Sequence, residues 1–182
     1  MSDDAYPGVR VLGSVRSVDG VGVVRVEDRY HANIHDVWSA LTDPGRVAHW
    51  YGRVAGELRV GGEFRLYVES SGWDGTGRVE ACEPPALLRV TTRETDESWR
   101  KGQGAPPFDA AIDATLTAQG DQTILVIEIR GMPLDVIAFY GVGWQLHAEH
   151  LAAYLAGREH GDVEARFGEL LPPYQELASR IR

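Results

Sequence analysis

Residues 31–52 read HANIHDVWSALTDPGRVAHWYG, and this stretch decides how the rest of the chain divides. Asn33 is placed as a helix N-cap, its side-chain oxygen accepting from the free backbone N–H groups of the first turn, and Asp36 sits at the positive end of the dipole. Val37, Trp38 and Leu41 then fall on one helical stripe. Asp43-Pro44 repeats the start signal, because proline in a first helical turn gives up an N–H that has no partner there anyway. The second helix carries Val47, Trp50 and Tyr51 and stops at Gly52. Two short helices thus interrupt a chain patterned as strands on either side.

Upstream, Asp19-Gly20 is a hairpin turn between the strand-like runs Val9–Val18 and Val21–Ala32. In the second run Val24, Val26, Asp28 and Tyr30 share one face, and the two valines make it the inward one. Downstream the period stays near two. Glu57–Val60 and Glu63–Glu69 are expected as a hairpin about Gly61-Gly62, with Phe64, Leu66 and Val68 inward. Gly77–Glu83 and Leu87–Arg93 follow, separated by Pro84-Pro85, with Leu88 and Val90 inward. Residues 94–106 are polar with Gly and Pro and are expected as a long loop, with Trp99 its large apolar anchor and candidate lid. Phe108–Ala118 and Gln122–Arg130 are two further strands joined at Gly120-Asp121.

After Gly131 the period returns to 3.6. A helix is expected between Pro133 and the C-terminal cap Gly157, with Ile137, Tyr140, Trp144, Ala148, Leu151 and Leu155 on one side. Val163 to Ile181 is again amphipathic, interrupted by Pro172-Pro173. It is expected to pack on the domain, over the outer sheet face near Ile124 and Val126, or on a second subunit of a homodimer. An antiparallel sheet with one long helix laid on it is an α+β arrangement, and a sheet curved about that helix leaves an interior space at one end.

The chain has 182 residues with 43% hydrophobic content, enough for one domain-sized core. Its net charge of -9 argues against nucleic acid and against anionic membrane surfaces. The lone Cys82 excludes an internal disulfide, so a reducing, cytoplasmic setting is expected. No signal peptide is expected in residues 1–20, and Val136–Trp144 is far shorter than the ~20 apolar residues of a membrane span.

The ordered pieces Val37-Trp38, Leu41-Thr42-Asp43-Pro44, Trp50 with Gly52, Gly61-Gly62-Glu63-Phe64, Gly77-Arg78-Val79, Glu83-Pro84 and Gly143-Trp144 resemble the START-like (SRPBCC) superfamily. Within it they resemble bacterial homologues of the activator of the ninety-kilodalton heat-shock chaperone ATPase. The resemblance covers residues 21–157, with 1–20 as an N-terminal extension forming an added strand and 158–182 as a C-terminal extension. It implies the helix-grip fold and a cavity between the long helix and the sheet. Relatives include lipid and hormone carriers, aromatic polyketide cyclases, and hydrolytic or regulatory proteins. The separate N-terminal domain through which the eukaryotic activator contacts its chaperone is not expected in the 20 residues ahead of this module.

The expected function is binding of a small, mostly apolar molecule, aromatic or lipid-like, with no cofactor and no metal. Cavity candidates are Asp28, Tyr30, Leu66, Val90, Tyr140, Trp144, His147 and Leu151. Two alternatives stand beside it: a regulatory module acting on a chaperone through its surface, and a cyclase- or hydrolase-like enzyme pairing His147 with Asp28. Trp38 and Trp50 are read as core. His147 and His150 could reach one metal from a helix, but no third ligand stands nearby in sequence. Gly72, Gly75 and Gly77 mark a turn and a bulge rather than a phosphate cradle, because no helix follows them.

Overall fold

A computed structural model of the protein describes residues 9–96 and 107–181. Trp99 and the rest of the segment expected as a lid lie outside the described residues, whereas Glu94 to Asp96, expected in that loop, belong to a strand. Among the described residues, eight strands form one antiparallel sheet in the order β1-β2-β8-β7-β6-β5-β4-β3. They are β1 (Gly13–Val18), β2 (Val21–Tyr30), β3 (Gly52–Gly56), β4 (Glu63–Val68), β5 (Trp73–Glu83), β6 (Leu87–Asp96), β7 (Asp109–Gln119) and β8 (Gln122–Met132). Helices α1 (Ile34–Thr42) and α2 (Pro44–Val47) join β2 to β3, and α3 (Ile137–Leu155) and α4 (Val163–Ser179) follow the sheet.

The local signals work as chemistry predicts. Asp19 and Gly20 both have positive φ, 51° and 82°, which makes the tight primed turn between β1 and β2. The Asn33 side chain accepts from Asp36 N, and the Asp43 side chain accepts from Gly45 N and Arg46 N. Trp50 is core, its indole N–H donating to Ala40 O at 2.9 Å. The strand ahead of Gly61-Gly62 differs from expectation: it is Gly52–Gly56, and residues 57–62 are the connection to β4. Gly52 and Gly56 are sites of close backbone approach, where a Cβ would stand 2.2 Å from Tyr67 O and 2.5 Å from Glu63 O respectively.

Helix α3 lies between two layers. Ile137, Ala148 and Leu151 join the sheet's Val24, Val26, Leu125, Ile127 and Ile129 in one core. Its other side, through Ala138, Val142 and Leu146, packs with Leu170 and Tyr174 of α4. So α4 covers α3 and not the outer sheet face near Ile124 and Val126. Its prolines do not interrupt it either: the helix runs through Pro172 and Pro173, with Leu170, Pro173 and Tyr174 buried. Packing of that face outweighs the backbone hydrogen bonds that two prolines forfeit.

Tyr174 fits a slot made by glycines. It is 0% exposed, and Cβ atoms added to Gly13 and Gly141 would come within 2.3 and 2.5 Å of it. Its hydroxyl donates to Gln145 Oε1 at 2.7 Å. On an open helix, Gly141→Ala would stabilise by roughly 0.5–1 kcal/mol. Here overpacking against Tyr174 should outweigh that gain, costing about 1–3 kcal/mol. A lowered melting temperature for Gly141→Ala is therefore expected, and an unchanged or raised one contradicts the slot.

Candidate functional site

Toward β4–β6 the sheet draws away from α3. The space between them holds a cavity of about 310 Å³ and, beside it toward α1 and α2, a second of about 170 Å³. Tyr51, Leu66, Thr92, Ile112 and Trp144 line both, so the two are compartments of one chamber. Combined they fall within the size range of small-molecule sites, which are mostly apolar with a few placed polar groups.

Sheet irregularities shape the wall. Register shifts in β5 at Asp74/Gly75 and Val79/Ala81 bend the strand, as bulges do. At Gly75 an added Cβ would meet the Trp73 ring at 2.2 Å, and at Gly77 it would meet the Phe64 ring at 2.3 Å. The glycines let these rings lie over the strand, and Trp73 thereby faces the larger compartment. Its indole N–H donates to Glu94 Oε1 at 2.9 Å, and Tyr140 O–H donates to the same oxygen at 2.9 Å. Phe108 meets Tyr140 edge-on with ring centroids 5.3 Å apart.

His147 stands on the α3 wall of this chamber, 9% exposed. Tyr51 meets its ring edge-on at 4.6 Å and Trp144 at 5.4 Å. Its Nδ1 has no hydrogen-bond partner among the described residues. Burial, reinforced by the nearby His150, pushes its pKa down to about 3, so the ring is neutral at pH 7. His150 is buried too, stacks on His160 at 4.1 Å, and is pushed down to about 4, first by burial and then by His160. Among the described residues no group of three His, Cys, Asp or Glu side chains could hold a metal ion.

The sequence candidates separate in space. Leu66, Tyr140, Trp144 and His147 line the larger compartment, and Leu66, Val90 and Trp144 the smaller. Asp28, Tyr30 and Leu151 line neither, which corrects their placement. Leu151 is core at 0% exposure. Tyr30 is inward but spent on packing, its hydroxyl donating to Ala148 O at 3.1 Å. The Asp28 carboxylate accepts from Arg29 N and lies 3.9 Å from Arg10, and burial raises its pKa. The expected His147–Asp28 acid–base pair is therefore not assembled. Glu94 and Trp73 are wall residues that the sequence reading missed. The signal for Glu94 was the alternation Leu88, Val90, Thr92, Glu94, which runs past the expected strand end.

Sheet, gripped helix and the chamber between them define a helix-grip protein. The chain belongs to the family described as Activator of Hsp90 ATPase homolog 1-like protein, which matches residues 31–156. Proteins of this fold commonly bind hydrophobic ligands. Its structure is similar to the crystal structure of CalU16 from Micromonospora echinospora, with 25% identity, a TM-score of 0.71, and coverage of 92% of this chain and 96% of that one. It is also similar to DynU16, from the dynemicin biosynthetic locus, at 28% identity and a TM-score of 0.63 over 75% of this chain and 48% of that one. Protein MLL2253 from Mesorhizobium loti shares the fold at 23% identity, with a TM-score of 0.65 over 76% and 99% of the two chains. Comparison with curated proteins gave no match. Among the described residues no helix is long and apolar enough to cross a membrane.

The buried histidines fix a pH dependence. Both have folded pKa values below the ordinary 6.5, so between pH 6.5 and about 4 the unfolded chain binds protons that the folded chain refuses. Their contribution is complete above pH 6.5 and is lost as pH falls, by about 1.4 kcal/mol per pH unit per histidine. Urea unfolding at pH 7 and pH 5 should show lower stability at pH 5, and His150→Gln should shrink the difference. Equal or greater stability at pH 5 in the native protein contradicts the burial described.

Proposed function

We propose that the chain binds a small, flat, largely apolar molecule in the chamber between α3 and the sheet. Gly143 carries this reading. It sits mid-helix on the chamber wall, and a Cβ built there meets none of the described residues within 4 Å. Glycine inside a helix costs roughly 0.5–1 kcal/mol relative to alanine. Gly141, two residues earlier, is needed to admit Tyr174, whereas packing makes no such demand at Gly143. What the missing side chain preserves is open space on the wall.

The chemistry of the wall favours binding over acid–base catalysis. A histidine with a pKa of about 3 is a weak general base at neutral pH, and Asp28 is not there to assist it. The likeness to DynU16, a protein of a biosynthetic locus, agrees with a small organic partner.

Gly143→Leu tests the proposal, because it fills the chamber while strengthening the helix. Titration with the neutral fluorophore N-phenyl-1-naphthylamine should saturate on the native protein. In the variant, affinity should fall about tenfold or more, equivalent to ~1.4 kcal/mol, with an equal or higher melting temperature. Undiminished probe affinity in a folded Gly143→Leu variant contradicts the proposal.

A further inference from the structure

Two neighbouring stripes of α3 border the larger compartment. Tyr140, Trp144 and His147 follow one another at helical spacing and face the sheet across it. Phe139, Gly143 and Leu146 repeat that spacing one position earlier, on the side of α3 turned to α4. Val163 and Phe167 of α4 line the same compartment. The space therefore continues around α3 from the sheet side to the α4 side. Gly143 is the passage, because a Cβ there meets none of the described residues within 4 Å. Beside it Phe139 and Phe167 stack with ring centroids 6.2 Å apart. The α4 wall is fixed: the Arg166 guanidinium donates to both oxygens of Glu149 on α3, at 3.0 and 2.9 Å. A helix clamped in this way to α3 still leaves the notch at Gly143 open. It is also a feature of this chain, since α4 lies beyond the residues that match the family.

Resting on the chamber reading above, we propose that the ring system bound there carries an alkyl arm, which passes over Gly143 and lies between α3 and α4 against Phe139 and Phe167. The arm is saturated because its path bends. A rigid fused ring cannot follow a surface that turns around a helix about 10 Å across, whereas a chain turns at each single bond. The arm is apolar because its surroundings are: Phe139, Gly143, Leu146, Val163 and Phe167 offer it no polar side chain. A hydroxyl or charged group placed there would lose its water without repayment. Ser70, Ser71, Thr92 and Glu94 stand on the sheet side of the compartment, which leaves polar substituents to the ring end. The ligand is thus a molecule of two parts, and α4 selects for the second.

Naphthalene and 2-butylnaphthalene differ only in the arm, and each is used to displace N-phenyl-1-naphthylamine from the full chain. The native protein should bind 2-butylnaphthalene about tenfold or more tighter than naphthalene, since each buried methylene is worth about fourfold. Val163→Trp, which fills the notch from the α4 side, should cut that ratio to about threefold or less. In the native protein the terminal methyl of the butyl group should give nuclear Overhauser contacts with the rings of Phe139 and Phe167, which keeps the test open should the variant fail to fold. A ratio near one in the native protein, an undiminished ratio in folded Val163→Trp, or methyl contacts elsewhere overturns the arm and leaves the chamber standing. If N-phenyl-1-naphthylamine does not bind, or neither naphthalene displaces it, the chamber reading falls and the arm falls with it.

Discussion

Every residue of α3 is buried or half-buried, and the rest of the structure answers that fact. A helix with apolar side chains on opposite faces has to be covered on both. The sheet takes one side through Val24, Val26 and Ile129, and α4 takes the other through Leu170 and Tyr174. The most deeply buried polar residue of α3 is Gln145, 0% exposed. Its Oε1 accepts from Leu12 N and Tyr174 O–H, and its Nε2 donates to Arg10 O and Glu149 Oε1. Both lone pairs and both N–H groups are spent, so burial of the amide carries no unmade bond. The same four bonds tie the segment before β1, α3 and α4 together.

The chamber follows from the geometry of that grip. Close contact holds where α3 meets β2, through small or aliphatic residues such as Ala148 and Leu151. Toward β4–β6 the bulged strands bend away, and the helix presents Tyr140, Gly143, Trp144 and His147 instead. Large rings on the sheet hold the surfaces apart, and the open Cβ position at Gly143 leaves room on the helix side. Glu94, bonded by Trp73 and Tyr140, with Ser70, Ser71, Thr92 and the His147 ring, gives the space its polarity.

The sequence made the architecture legible where local chemistry and global fold agree. The caps at Asn33 and Asp43, the turn at Asp19-Gly20 and the alternation of β2, β4, β7 and β8 each rest on a local rule. It misled where tertiary contact overrides one. Gly52 looks like a helix stop but also opens a strand whose neighbour comes too close for a side chain. Pro172-Pro173 looks like a break but lies inside a packed helix. The site was half legible for the same reason. Helical spacing placed Trp144 and His147 on the inward side of α3. Which strand residues they face depends on how far each strand runs and where the sheet bends. Asp28 and Tyr30 were therefore assigned to the chamber, and Glu94, one alternation past Thr92, was left in a loop.

The most direct test of a ligand chamber between α3 and the sheet is a crystal of the full chain soaked with N-phenyl-1-naphthylamine. The account predicts ring density in the chamber, against Trp144 and Phe108. A chamber filled by an ordered water network, with the probe bound elsewhere or not at all, would contradict it.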